Sequence, residues 1–161
     1  MSFCALPWVH LATDPNGQTK LCCIAKGHSG DLSKDSVEDV WNNEYMRETR
    51  LKMLNNEPNS ACMKCNYQES IGGGSKRLRE NKKWNADIPN LIASTADDGT
   101  VPKEIKYLDL RFGNTCNLKC VMCGPTSSSL WIKDHNLIFS TLQSPDIKAA
   151  MNWDKASLNN T

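Results

Sequence analysis

The stretch Ile105-Lys-Tyr-Leu-Asp-Leu-Arg-Phe112-Gly-Asn-Thr-Cys116-Asn-Leu-Lys-Cys120-Val-Met-Cys123 decides the reading of this chain. Its first part, Ile105 to Phe112, has the composition of a β-strand. Gly113-Asn114-Thr115 leaves the strand and opens a loop that carries Cys116, Cys120 and Cys123. Three thiolates on so short a loop can wrap three corners of an iron–sulfur cube. No fourth cysteine follows at this spacing, so one iron would stay open to an outside ligand. A structural zinc site takes four protein ligands, which counts against a closed zinc site built from this loop alone. Soft thiolates suit iron–sulfur clusters.

The Cys-x3-Cys-x2-Cys spacing after the strand Leu108-Asp109-Leu110-Arg111-Phe112 resembles the radical S-adenosylmethionine superfamily. In that family the strand is the first of a partial (β/α)6 barrel and the loop after it carries the cluster. The resemblance implies a 4Fe-4S cluster on Cys116, Cys120 and Cys123 whose open iron binds S-adenosyl-L-methionine. Reductive cleavage of that cosubstrate would give a 5′-deoxyadenosyl radical for hydrogen abstraction from a substrate. It also implies a reductant such as flavodoxin or ferredoxin. The residue before the last cysteine, aromatic in most of the family, is Met122 here; it is expected to meet the adenine partly through its backbone.

The chain has eight cysteines, and five of them precede residue 66: Cys4, Cys22, Cys23, Cys62 and Cys65. Two groups suggest two sites. In a reducing compartment, thiols in close pairs are metal ligands or catalytic groups more often than disulfides. The opening segment reads as a hairpin, Val9–Thr13 and Gln18–Cys22 around the turn Asp14-Pro15-Asn16-Gly17. Side chains alternate along a strand, so Cys22 and Cys23 should face opposite ways, and only one easily joins a shared site. The spacing Cys4-x12-Gly17-x4-Cys22 resembles the auxiliary-cluster extensions called SPASM and twitch domains, and so does the pair Trp41-Asn42. The run Cys62-x2-Cys65, followed by Glu69, Gly72, Ser75 and Arg77, strengthens that resemblance.

The resemblance implies an auxiliary 4Fe-4S cluster on Cys4, Cys22, Cys62 and Cys65, with Cys22 preferred to Cys23 by the spacing from Gly17. A fully ligated cluster would relay electrons or shape a pocket, and relatives with such extensions suggest a peptide substrate. The same four thiols would also satisfy a zinc ion, so a non-enzymatic, zinc-stabilised interaction module stands as the alternative. An electron carrier with two clusters is a third reading, less suited to a three-cysteine loop.

The expected architecture is an α+β twitch-like domain over residues 1–84, a linker over 85–103, and the start of a barrel over 104–161. A helix capped at Asp35 or Ser36 is expected to run through Val37, Val40, Trp41, Tyr45, Leu51 and Leu54. A second, polar helix is expected from about Ser75 to Trp84. The segment 85–103, with Pro89, Asp97-Asp98-Gly99 and Pro102, shows little periodicity. A third helix is expected through Leu130, Trp131 and Ile132, capped by Thr126 or Ser127. The tail from Ser144 is weakly patterned.

Lys and Arg total 19 against 18 Asp and Glu, a balance that gives no reason to expect nucleic acid or an anionic membrane as partner. No apolar run approaches a membrane span, and the N-terminus lacks a signal peptide, so a soluble, cytoplasmic protein is expected. His10, His28 and His135 have no metal-type spacing to one another. Trp41, Tyr45 and Trp131 read as core. Gly72-Gly73-Gly74 reads as a turn rather than a phosphate loop. Arg77, Arg79, Lys82 and Lys83 read as a solvated helix face. Asp109 and Arg111 alternate on one strand face, toward a substrate or in a salt bridge. A full (β/α)8 barrel takes about 250 residues, far more than 104–161 provides. The chain is therefore expected to be a front portion, inactive alone, with apolar strand surface left exposed in its second half.

Overall fold

Asp14-Pro15-Asn16-Gly17 turns the chain back on itself. In the computed structural model, which describes residues 3–141, the Gly17 amide closes on Asp14 O at 3.0 Å and Gly17 holds φ +84°. That left-handed conformation is one a side chain would strain. The turn joins strand β1 (His10–Thr13) to antiparallel β2 (Gln18–Lys20), in register Ala12↔Lys20 and Thr13↔Thr19. β2 pairs antiparallel with the short β3 (Gly30–Asp31), and β1 pairs parallel with β4 (Tyr107–Asp109) in register His10↔Tyr107. The result is a four-stranded mixed sheet in the order β3-β2-β1-β4. Gly30 has to be small, because a Cβ there would meet the methyls of Val40 at 2.9 Å.

The strand expected over Ile105–Phe112 is thus present but shorter, and it completes the N-terminal sheet. Its pairing satisfies the backbone edge of β1, and the rings of His10 and Tyr107 lie 4.5 Å apart across the ladder. The chain falls into two compact units, Met1–Arg111 and Phe112–Thr161, so the strand belongs with the hairpin.

One helical turn, α1 (Leu6–Val9), leads into β1. The single helix expected to reach Leu54 is two. α2 (Val37–Trp41) begins at Ser36, which forms a capping box with Asp39, and α3 (Glu44–Leu54) begins at Asn43, whose side chain accepts from the Met46 amide. The break falls at Asn42-Asn43 because both side chains serve outside the helix. Asn42 donates to Val101 O and accepts from the Val101 amide and from Arg50, while Asn43 donates to Ser29 O. A 3₁₀ turn (Ser60–Cys62) precedes α4 (Met63–Ser70), and α5 (Lys76–Lys83) follows the glycines.

Residues 85–103, expected as a linker, are packed. They hold α6 (Ile88–Ala93), and Leu91 and Val101 join Phe3, Leu6, Trp8, Val9, Trp41 and Met53 in the main core. Trp8 donates to Thr95 Oγ1 at 2.8 Å and Trp41 to Pro102 O at 3.2 Å, so each indole drops its polar edge onto this segment. At the centre, Arg50 is fully buried. Its guanidinium donates to Pro7 O (3.0 Å), Trp41 O (2.7 Å), Asn42 Oδ1 (2.9 Å) and Gly99 O (3.2 Å). One side chain thereby ties α1, the α2–α3 break and the segment after α6 together. Tyr45, expected in the core, is 37 % exposed.

The second unit contains the cysteine loop and α7 (Trp131–Thr141). That helix starts after the expected caps, because Ser127 and Ser128 are spent in turns whose amides bond Gly124 O. The expected tail from Ser144 lies outside the described residues. Among those residues, no helix is long and apolar enough to cross a membrane. Phe112 and Val121 are each 93 % exposed.

Candidate metal centre

Four cysteines reach one place by four different local routes. Cys4 precedes α1, and Cys22 opens a turn whose Ala25 amide bonds Cys22 O at 3.0 Å. Cys62 closes the 3₁₀ turn, where Asn59 caps the Ala61 amide at 2.9 Å, and Cys65 lies on the first turn of α4. Cys62 and Cys65, three apart, share a helix face. The Lys26 amide bonds Ala61 O at 3.0 Å, which staples the Cys22 turn to the Cys62 turn. Cys4, Cys22, Cys62 and Cys65 all line one cavity, which is partly open to solvent. Lys64, Lys76 and Arg77 share the lining, and Cys23 is not part of it. Strand alternation does not make this distinction, since β2 ends at Lys20 and both cysteines lie in the turn beyond.

All eight cysteines are free thiols. Burial pushes the Cys4 thiol up to about 12, with the charges of Cys22, Cys62 and Cys65 adding to the rise and the Leu6 amide opposing it. Burial pushes Cys62 up to about 11; Cys22 adds to this and Arg77 opposes it. Cys22 is raised chiefly by burial as well. Desolvated thiols such as Cys4, Cys22 and Cys62 are donors suited to a cationic centre, which would displace their protons and offset the repulsion between the sulfurs.

In the metal-free protein the folded state keeps its thiol protons above the ordinary value of 9.0, while the unfolded chain loses them there. Stability is therefore complete below pH 9 and falls as the pH rises toward about 12. Denaturant titrations of the metal-free protein at increasing alkaline pH are expected to show this fall, and Cys4→Val is expected to reduce it.

A single ion needs its sulfurs at about 2.3 Å from one point, whereas a cube spreads them over separate irons. Among the described residues, no three His, Cys, Asp or Glu side chains converge where one metal ion could sit. Cys4, Cys22, Cys62 and Cys65 share the lining of one cavity.

Arg77 forms part of the cavity wall and is itself braced. Its Nε and Nη2 donate to Glu69 Oε1 and Oε2 at 2.9 and 3.0 Å, and Nη2 also donates to Asn66 Oδ1 at 2.5 Å. Ser75 donates to Glu69 Oε1 at 2.5 Å while capping α5 at the Leu78 amide. Burial works against the Glu69 charge, but the bonds from Arg77 and Ser75 outweigh it and hold the carboxyl below its usual range. The residues Glu69, Ser75 and Arg77 singled out in the sequence are thus one network beside the cavity. Lys64, Lys76 and Asn81 carried no such signal, since each reads as an ordinary polar helix residue.

In the second unit Cys116, Cys120 and Cys123 sit on a loop held by its own backbone. Cys123 N–H donates to Cys120 O and Trp131 Nε1–H donates to the same oxygen, both at 3.0 Å; the Leu118 amide points at Cys116 Sγ at 3.4 Å. Buried Ser128 donates to Leu118 O at 2.7 Å, and Lys119 pairs with Asp134. Cys120 and Cys123 are exposed, and Met122 is 99 % exposed.

His10 and His28 serve elsewhere. His10 is buried with Nδ1 at 3.3 Å from Leu21 O, and burial lowers its pKa; His28 meets Asp14 at 3.3 Å. Arg111 reaches Asp14 at 3.6 Å in a salt bridge.

Residues 4–66, a stretch that contains Cys4, Cys22, Cys62 and Cys65, match the family model of the SPASM iron–sulfur cluster-binding domain. Such domains bind iron–sulfur clusters and occur in radical S-adenosylmethionine enzymes. No curated protein and no solved structure matches the chain.

Proposed function

We propose that the chain is part of a radical S-adenosylmethionine enzyme with an N-terminal auxiliary cluster. Cys4, Cys22, Cys62 and Cys65 hold a 4Fe-4S cluster, and Cys116, Cys120 and Cys123 hold a second, site-differentiated one. When bound, the second cluster supplies the electron that splits S-adenosyl-L-methionine into methionine and a 5′-deoxyadenosyl radical for hydrogen abstraction. β4 and the loop after it serve as the first strand and cluster loop of the family's barrel.

The observation that carries this reading is four free thiols around one cavity, inside the segment similar to a cluster-binding domain and in one chain with the triad. The cations Lys64, Lys76 and Arg77 offset the negative charge of a four-thiolate cluster. In the triad loop, the Leu118 amide donates toward one ligand sulfur, and Trp131 and Ser128 fix the intervening carbonyls. An exposed Met122 leaves the loop tip open to the cosubstrate. A reductant such as flavodoxin or ferredoxin delivers electrons, the substrate is a peptide, and free cysteines throughout suit the cytoplasm.

The test is spectroscopic. Adding S-adenosyl-L-methionine to the anaerobically reconstituted, reduced chain is expected to shift the EPR spectrum of one cluster. In a Cys116/Cys120/Cys123→Ala variant no cosubstrate-dependent shift is expected. A parent spectrum indifferent to the cosubstrate contradicts the assignment.

A further inference from the structure

Of the four thiols around the cavity, Cys62 and Cys65 are aligned by a helix and Cys22 by a stapled turn. Cys4 has neither. It lies outside regular structure, 8 % exposed, just ahead of α1, and its nearest fellow ligand in sequence is Cys22. A side chain so placed is aimed only as well as its flanking peptides are held.

Those peptides are held by a side chain of α5. Asn81 Oδ1 accepts from the Ala5 amide at 2.9 Å, and Asn81 Nδ2 donates to Phe3 O at 2.9 Å. The carboxamide thus bonds the backbone on both sides of Cys4, as a neighbouring strand would. Asn81 lies four residues after Arg77 on α5, so the two occupy one helix face. Arg77 reaches the cavity and Asn81 reaches the backbone of a cysteine in its wall. A carboxamide offers donor and acceptor side by side: a carboxylate would set oxygen against Phe3 O, and an apolar residue would serve neither peptide.

We infer that Asn81 is a positioning residue for the auxiliary centre, acting through Cys4 rather than touching metal. This rests on the cluster reading above. Residues that orient metal ligands from outside typically change metal retention by roughly 10–100-fold when replaced.

The test uses the full chain with Cys116, Cys120 and Cys123 changed to Ala, so that only the auxiliary cluster is observed. After mild oxidation, Asn81→Ala is expected to raise the EPR signal of a three-iron cluster several-fold over the parent, matching the signature of Cys4→Ala. Loss of iron to a chelator should quicken roughly tenfold. The double variant Cys4→Ala/Asn81→Ala should show no more three-iron signal than Cys4→Ala, because both act at one ligand. Asn81→Asp keeps the acceptor for Ala5 and disturbs the fold less; its signal should fall between parent and Asn81→Ala. A merely structural role would lower the melting temperature and leave the spectrum per cluster unchanged. Parent-like spectra in both Asn81 variants overturn this inference and leave the cluster reading intact. A parent that takes up no iron–sulfur cluster overturns both.

Discussion

Arg50→Met is expected to lower the unfolding free energy of the first unit by about 3–5 kcal/mol. Methionine fills most of the volume, so cavity formation is not the main loss. Four acceptors lose a charged donor together: Pro7 O, Trp41 O, Gly99 O and Asn42 Oδ1. A buried acceptor left without its donor costs about 1–3 kcal/mol, and a domain holds only about 5–15 kcal/mol in total. Burial draws the Arg50 pKa down to about 10, so the cation is maintained at a cost that relief of desolvation partly returns. That offset keeps the net figure below the sum of the bonds. Arg50→Lys should be nearly as damaging, because one ammonium cannot span a fork of four acceptors. Urea denaturation followed by near-ultraviolet circular dichroism checks this; a loss under about 1 kcal/mol would mean the four contacts are not what joins these segments.

Cys22→Ser is expected to abolish retention of the auxiliary cluster, and Cys23→Ser to leave it unchanged. The two residues are neighbours, alike in chemistry and partial exposure, yet only Cys22 lines the cavity with Cys4, Cys62 and Cys65. A hydroxyl is a poor substitute for a soft thiolate toward iron. Metal binding in small thiolate sites supplies about 10–16 kcal/mol of apparent stability, so losing one ligand in four also lowers the melting temperature of the loaded protein. Iron and sulfide analysis of the paired variants checks this. Equal loss in both variants, or loss in Cys23→Ser alone, would reassign the ligand.

Local chemistry made much of this legible in the sequence. The Asp14–Gly17 turn, the Ser36 cap and the polar helix before Trp84 depend on a few adjacent residues, and each is realised. What escaped is non-local. Arg50 sits among Arg47, Glu48 and Thr49, a polar run with no local mark of burial, and its four partners come from three other segments. Leu91 lies in the short run Leu91-Ile92-Ala93 and Val101 stands alone, both among prolines and aspartates, so their stretch looks like a linker until Trp8, Trp41 and Asn42 are seen to bond it. The parallel pairing of β4 with β1 has no signature in either strand. At the candidate centre the cysteines announce themselves by spacing, whereas Asn81 is one polar residue in a basic helix. Its role exists only through the backbone at Phe3 and Ala5.

The most direct test is the iron, sulfide and zinc content of the anaerobically reconstituted full chain, read with Mössbauer spectra. Two 4Fe-4S clusters per chain are expected, and one, fully ligated, in the Cys116/Cys120/Cys123→Ala variant. Zinc without sulfide in the reconstituted protein, or cysteines paired as disulfides, would contradict this.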